Sequence, residues 1–138
     1  MQNLLPIDFN ALTIKCDIIS REIQDWRRIC SNVTEHAKWH ISAEVNNLTY
    51  PQCRMKLEEI LGLLSVVISH QKVIEELFLR SSDLRRMLMH HDHTHMLLKK
   101  LLEEELHLLD LIRNLGEAQI SLLQYDNKLT LHKINLCI

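Results

Sequence analysis

Apolar residues recur along the first third of the chain in alternating steps of four and three. Leu12, Cys16, Ile19, Ile23, Trp26, Cys30, Val33 and Ala37 keep a heptad rhythm, and His40 takes the next place on the stripe. Arg21, Glu22, Asp25, Arg27, Arg28, Glu35 and Lys38 fill the positions between. This period predicts an amphipathic helix over about residues 8–45, starting after Pro6 with Asp8 or Asn10 as cap. Such a helix is roughly 50 Å long and has one apolar seam. Alone it is unstable in water, so the seam must pack on another helix.

Asn46-Asn47-Leu48-Thr49-Tyr50-Pro51 interrupts the pattern. Thr49 is placed to cap a second helix and Pro51 fits its first turn, which predicts a helix over about 51–80. Its stripe, Leu57, Ile60, Leu61, Leu64, Val67, Ile68, Ile74, Leu77 and Phe78, is wide enough to touch two or more helices. Gly62 inside it marks a close crossing or a bend. Ser81-Ser82-Asp83 predicts a short turn, although a helix running straight through is also compatible with these residues. A third helix is then expected over about 83–115. Its stripe is Leu84, Leu88, His91, His95, Leu98, Leu102, Leu109 and Ile112, widened by Met87, Leu97, Leu101, Leu106, Leu108, Leu111 and Leu115. Gly116 predicts its end, and Ile120, Leu123, Leu129 and Ile134 in the tail support a short last helix over about 117–132. The expectation is a single all-α domain over 1–138. It is an extended helical hairpin or a three- to four-helix bundle with coiled-coil segments.

Composition sharpens this picture. The chain holds 2 Gly and 2 Pro, where average usage gives about 16 in a chain of this length. That is too few turn formers for a strand-rich fold. Aromatic content of 4% leaves an aliphatic core suited to narrow helix–helix seams. Net charge is −2 with His neutral, and Lys and Arg are scattered. Neither nucleic acid nor an anionic membrane surface is therefore an expected partner. No apolar run approaches the roughly 20 residues of a membrane span. The opening residues lack a secretory pattern. Cys16, Cys30, Cys53 and Cys137 form no Cys-x-x-Cys pair, and two of them sit on the apolar stripe as small hydrophobes. A reduced, cytoplasmic chain is expected. The sequons at Asn32 and Asn47 then carry no glycan.

Chemistry is sparse. His90-His91-Asp92-His93-Thr94-His95 puts His91 and His95 four apart, the spacing of a paired-imidazole metal site on a helix. A structural zinc site needs four ligands, and the local sequence offers two. His91 and His95 are thus candidate metal ligands, read first as polar positions in a seam. Glu103-Glu104-Glu105 beside Lys99 and Lys100 reads as a solvated, salt-bridged face. No phosphate-cradling glycine loop, Gly-x-Ser-x-Gly elbow or His-Glu-x-x-His is present. No catalytic residue, cofactor or small-molecule substrate is expected. The candidate partner-binding residues are Ile19, Ile23, Trp26, Val33 and Trp39, since aromatic and aliphatic anchors occupy interface centres.

The order of features resembles the small coiled-coil subunits of the augmin (HAUS-type) complex, in the layout of the second-subunit family. A long first helix ends near Asn47-Leu48-Thr49-Tyr50-Pro51. Met55-Lys56-Leu57-Glu58-Glu59-Ile60-Leu61, Leu84-Arg85-Arg86-Met87-Leu88 and a His-bearing segment then lead into Leu97–Leu115. The resemblance implies a scaffold in a hetero-oligomer of coiled-coil subunits. It would help bring the γ-tubulin machinery to existing spindle microtubules, with a location at the cytoskeleton, centrosome or spindle. It supplies no catalytic motif to match. From the residues alone, the expected function is a non-enzymatic structural subunit of a helical complex. A secreted four-helix signalling protein and a His-based metal-binding bundle are the alternatives.

Overall fold

A computed structural model describes residues 9–138. Among them are three α-helices and no strand: α1 (Phe9–Ile41), α2 (Tyr50–Met89) and α3 (His95–Leu136), with a 3-10 turn at Val45–Asn47. Of the two predicted caps, Asp8 lies outside the described residues, and Asn10 stands inside α1 rather than ahead of it. Side-chain pairs give the directions. Trp26 meets His70 and Glu22 meets Arg80, so α1 and α2 are antiparallel. Gln71 meets Gln119 and Ser81 meets Glu105, so α2 and α3 are antiparallel. Asp17–Lys100, Ser20–Glu104 and Ala43–Tyr125 run in step, so α1 and α3 are parallel. The result is an up-down-up bundle in which α2 and α3, 40 and 42 residues long, reach about 60 Å.

The stripe predicted for α1 is the one that is buried. Leu12, Cys16, Ile19, Ile23, Cys30 and Ala37 lie in the core, with Trp26 and Val33 packed against it. Thr49 caps α2 in a full capping box: its hydroxyl accepts from the Gln52 backbone N–H, and the Gln52 side chain accepts from the Thr49 N–H. Pro51 stands in the first turn, as its missing N–H and fixed φ favour.

Two predicted breaks do not occur. α2 continues through Ser81-Ser82-Asp83, because the Ser81 hydroxyl is buried and donates to Glu105 of α3 rather than competing for its own backbone. α3 continues through Gly116, which does not take the left-handed conformation of a helix stop. The residues after it, Leu122, Tyr125 and Leu129, keep burying the same side of the helix. The predicted helices over 51–80, 83–115 and 117–132 are therefore two helices, and the real turn lies between Met89 and His95. His93 occupies the left-handed region there (φ 62°), which His visits more readily than most residues. Thr94, buried in the turn, donates its hydroxyl between the carbonyls of Leu88 (2.6 Å) and His91 (2.9 Å), adding to the His91 N–H that already reaches Leu88. Among the described residues no helix is long and apolar enough to cross a membrane.

Candidate interaction surface

α2 and α3 pair along positions that include two polar contacts. Gln71 Nε2 donates to Gln119 Oε1 at 2.9 Å. Farther along, Ser81 Oγ donates to Glu105 Oε1 at 3.1 Å, and Arg85 Nε lies 3.3 Å from the same oxygen. Glu104 accepts from Ser20 of α1 at 3.0 Å. Lys100–Asp17 and Arg80–Glu22 flank this layer. Three helices thus meet at one polar level inside an aliphatic core, and sliding one helix past another would break these contacts together. The Glu103–Glu105 run, predicted to face solvent, places Glu105 inside the bundle. The signal was available: Ser81 and Glu105 both fall on the apolar period of their helices.

At the other end, His40 of α1 sits between Lys56 and Glu59 of α2. Lys56 Nζ is 3.0 Å from His40 Nδ1, and Glu59 Oε2 is 3.2 Å from it. Burial, then the neighbouring Lys56 charge, holds His40 below the usual histidine range despite Glu59. His70, edge-on to Trp26, is lowered by burial. Burial pushes the Cys30 thiol up to about 11 and also raises Cys16, where Asp17 adds to the effect. These thiols are therefore poor nucleophiles. The Tyr125 hydroxyl donates to the Ala43 carbonyl at 2.8 Å, and burial raises its pKa.

The sequence-predicted contacts divide. Ile19 and Ile23 are 5% and 0% exposed, so they pack this chain's own core and are not a partner surface. Trp26 and Val33 are half-buried against that core. Trp39 is 68% exposed, held under Lys56 Nζ at 5.6 Å and edge-on to His40. The physical reason is that α2 and α3 are longer than predicted and cover the α1 seam themselves. His91 and His95 do not share a helical face, because His91 lies in the turn and His95 begins α3. Among the described residues no group of three or more His, Cys, Asp or Glu is arranged to hold a metal ion.

The apolar surface left open lies on the other side of the molecule. On α3 the predicted stripe carried its phase across the turn and so named the wrong face. Leu101, Leu108, Leu111 and Leu115 are buried, while Leu102, Leu109 and Ile112 look outward. With Leu106, Ile120, Leu123 and Ile134, also exposed, they form an outward stripe along α3. On α2, Leu61 and Ile68 are exposed and stand at the positions bordering the α3 seam. Because α1 packs on the opposite side of both helices, this face has no helix of the described chain over it. Exposed apolar residues at helical spacing, rimmed by polar ones, are the kind of surface that marks a protein–protein contact.

The chain matches no known family model, and neither curated proteins nor solved structures give a match. The helical bundle and its outward face are the findings on which a functional reading rests.

Proposed function

We propose that this protein is a non-enzymatic structural subunit that joins a larger helical assembly through the outward face of α3 and the adjoining edge of α2. The supporting observation is the stripe from Leu102 to Ile134, apolar at helical spacing on a helix whose opposite side already fills the core. Helix-in-groove association reads such a stripe by its i, i+3, i+4 and i+7 anchors. The absence of clustered charge on the chain fits a protein partner better than a nucleic acid. Two substitutions test the reading without touching the core: Leu109→Glu and Leu123→Glu together. Proteins recovered with the tagged chain from cells at fixed stoichiometry should be lost with the double variant, while its melting temperature stays within a few degrees. Unchanged recovery with a folded double variant would contradict the reading.

A narrower proposal places the assembly with the coiled-coil subunits that promote microtubule-dependent microtubule nucleation at the spindle. It is supported by the layout of segments that resembles the augmin subunits. A tagged chain concentrated on mitotic spindle microtubules, and depleted γ-tubulin there when the chain is removed, are the expected outcomes. A chain spread evenly through the mitotic cytoplasm would count against this placement.

A further inference from the structure

The outward side of the α2–α3 pair is a groove, and charge is sorted across it. Arg85 of α2 meets Glu105 of α3, and Gln71 meets Gln119, which fixes the levels at which the two helices face each other. Phe78 and Ile112 then lie level on the groove floor, and Ser82 with Leu109, and Met89 with Leu102, are level on its walls. Farther out on each helix a rim position repeats every seven residues: Lys72, Leu79 and Arg86 on α2, and Lys99, Leu106 and Arg113 on α3. All six are exposed. The carboxylates stand one step further round, turned away from the groove: Glu76 and Asp83 on α2, and Glu103, Asp110 and Glu117 on α3. In the half of the groove nearer the turn at 90–94, cations therefore line both rims. Glu75 is the one carboxylate at a wall or rim position there, and Arg85 on the floor is balanced by Glu105.

The single chain does not account for this sorting. Arg86 and Arg113 pair with exposed Asp83 and Asp110 at 3.8 and 3.3 Å, contacts that contribute little and exchange readily. Carboxylates on the rim and cations four residues on would pair within the helix equally well. α1 packs on the opposite side, so nothing in the described chain faces the rim cations across the groove. We infer that the turn half of the α2–α3 groove takes one amphipathic helix of a partner protein, with acidic residues flanking its apolar stripe. This rests on the reading of the outward face as an assembly surface and gives the partner its chemistry. The stripe would seat on Leu102, Leu109 and Ile112. Its flanking carboxylates would meet Lys72, Arg86, Lys99 and Arg113, as flanking charges do beside a coiled-coil seam. Cations spaced one per heptad on two rims of a concave floor suit a narrow rod better than the plane of a membrane, which attracts clustered Lys and Arg on one convex face.

Two synthetic peptides of about three heptads, each stapled to hold it helical, test this on the whole chain. Both carry Leu at the two seam positions of each heptad; one has Glu at the flanking positions and the other Lys. Fluorescence anisotropy should show the Glu peptide binding at least about tenfold tighter than the Lys peptide, with the difference shrinking as salt is added. The chain's net charge of −2 opposes this preference, so the groove must supply it. Lys72→Glu with Arg113→Glu should abolish the preference, and the milder Arg113→Gln should reduce it. Lys38→Glu on exposed α1 changes net charge away from the groove and should leave the preference intact. Equal binding of both peptides, or binding of neither, overturns the inference. Attachment to vesicles of anionic lipid in place of the Glu peptide also overturns it. If wild type shows no preference, yet Leu109→Glu with Leu123→Glu loses the cellular partners, the acidic helix is removed and the assembly reading stands. If the Glu peptide binds as described but those partners persist with the double variant, the reverse holds.

Discussion

Single side chains set the stability of this bundle through two kinds of contact. The first is aliphatic burial: Leu108 and Leu115 are fully enclosed, and either changed to Ala should cost about 2–5 kcal/mol in chemical denaturation. A cost below 1 kcal/mol would mean the core is looser than described. The second is the polar layer. Removing the Glu105 carboxylate alone leaves the Ser81 hydroxyl buried without a partner and Arg85 without its ion pair, a loss of about 1–3 kcal/mol. Glu105→Leu combined with Ser81→Ala should recover most of that loss, and a double-mutant cycle measures how much. Protonation adds a pH dependence. His40 and His70 both have folded pKa values below the ordinary 6.5, so the unfolded chain binds more protons. Stability from these two groups is complete above that value and is lost as pH falls from 6.5 towards the folded values. The melting temperature should therefore drop with acidification through this window, and less so in His40→Gln and His70→Gln. Parallel pH curves for wild type and variants would contradict this. Thiol reactivity is similarly graded: exposed Cys137 should react quickly in the native protein, and Cys16, Cys30 and Cys53 only after unfolding.

The helices themselves follow from period and caps, and their ends from contacts between them. Gly62 and Gly116 both have room for a methyl group and neither takes a positive φ. Changing either to Ala should raise stability by roughly 0.5–1 kcal/mol through helix propensity, read from the denaturation midpoint. A decrease would show that the glycine serves a contact within the single chain. The same two kinds of residue explain what was legible in the sequence. Leu12 to Ala37 keep one unbroken period, so the α1 core was readable position by position. The Thr49–Pro51 start was readable because capping is local. Ser81 and Gly116 misled because their usual effect on a helix is also local, whereas here Glu105 of another helix absorbs the Ser81 hydroxyl and continued burial carries the chain past Gly116. The turn at His90–Thr94 was hidden for the opposite reason. Its histidines fit a helical period, and the reversal depends on His93 adopting a left-handed backbone and on Thr94 bonding back to Leu88.

At the scale of the molecule, α1 lies on one side of a long α2–α3 pair and leaves the other side apolar. Moving the turn to residues 90–94 shifts the phase of α3, and this converts positions read as core into outward ones. Of the residues expected to bind a partner, Ile19 and Ile23 became core, and Leu109, Ile112, Ile120 and Leu123 took over the outward role. That exchange could not be read from the sequence, because a stripe with apolar residues on two faces does not say which face the neighbouring helices choose. The central claim is that another helix covers this outward face in the working protein. A photoreactive amino acid placed in cells at Leu109 or at Leu123, with exposed Glu35 of α1 as control, tests it most directly. The account predicts discrete cross-linked species from both α3 positions and none from Glu35. Adducts from the α3 positions no stronger than from Glu35 would contradict it.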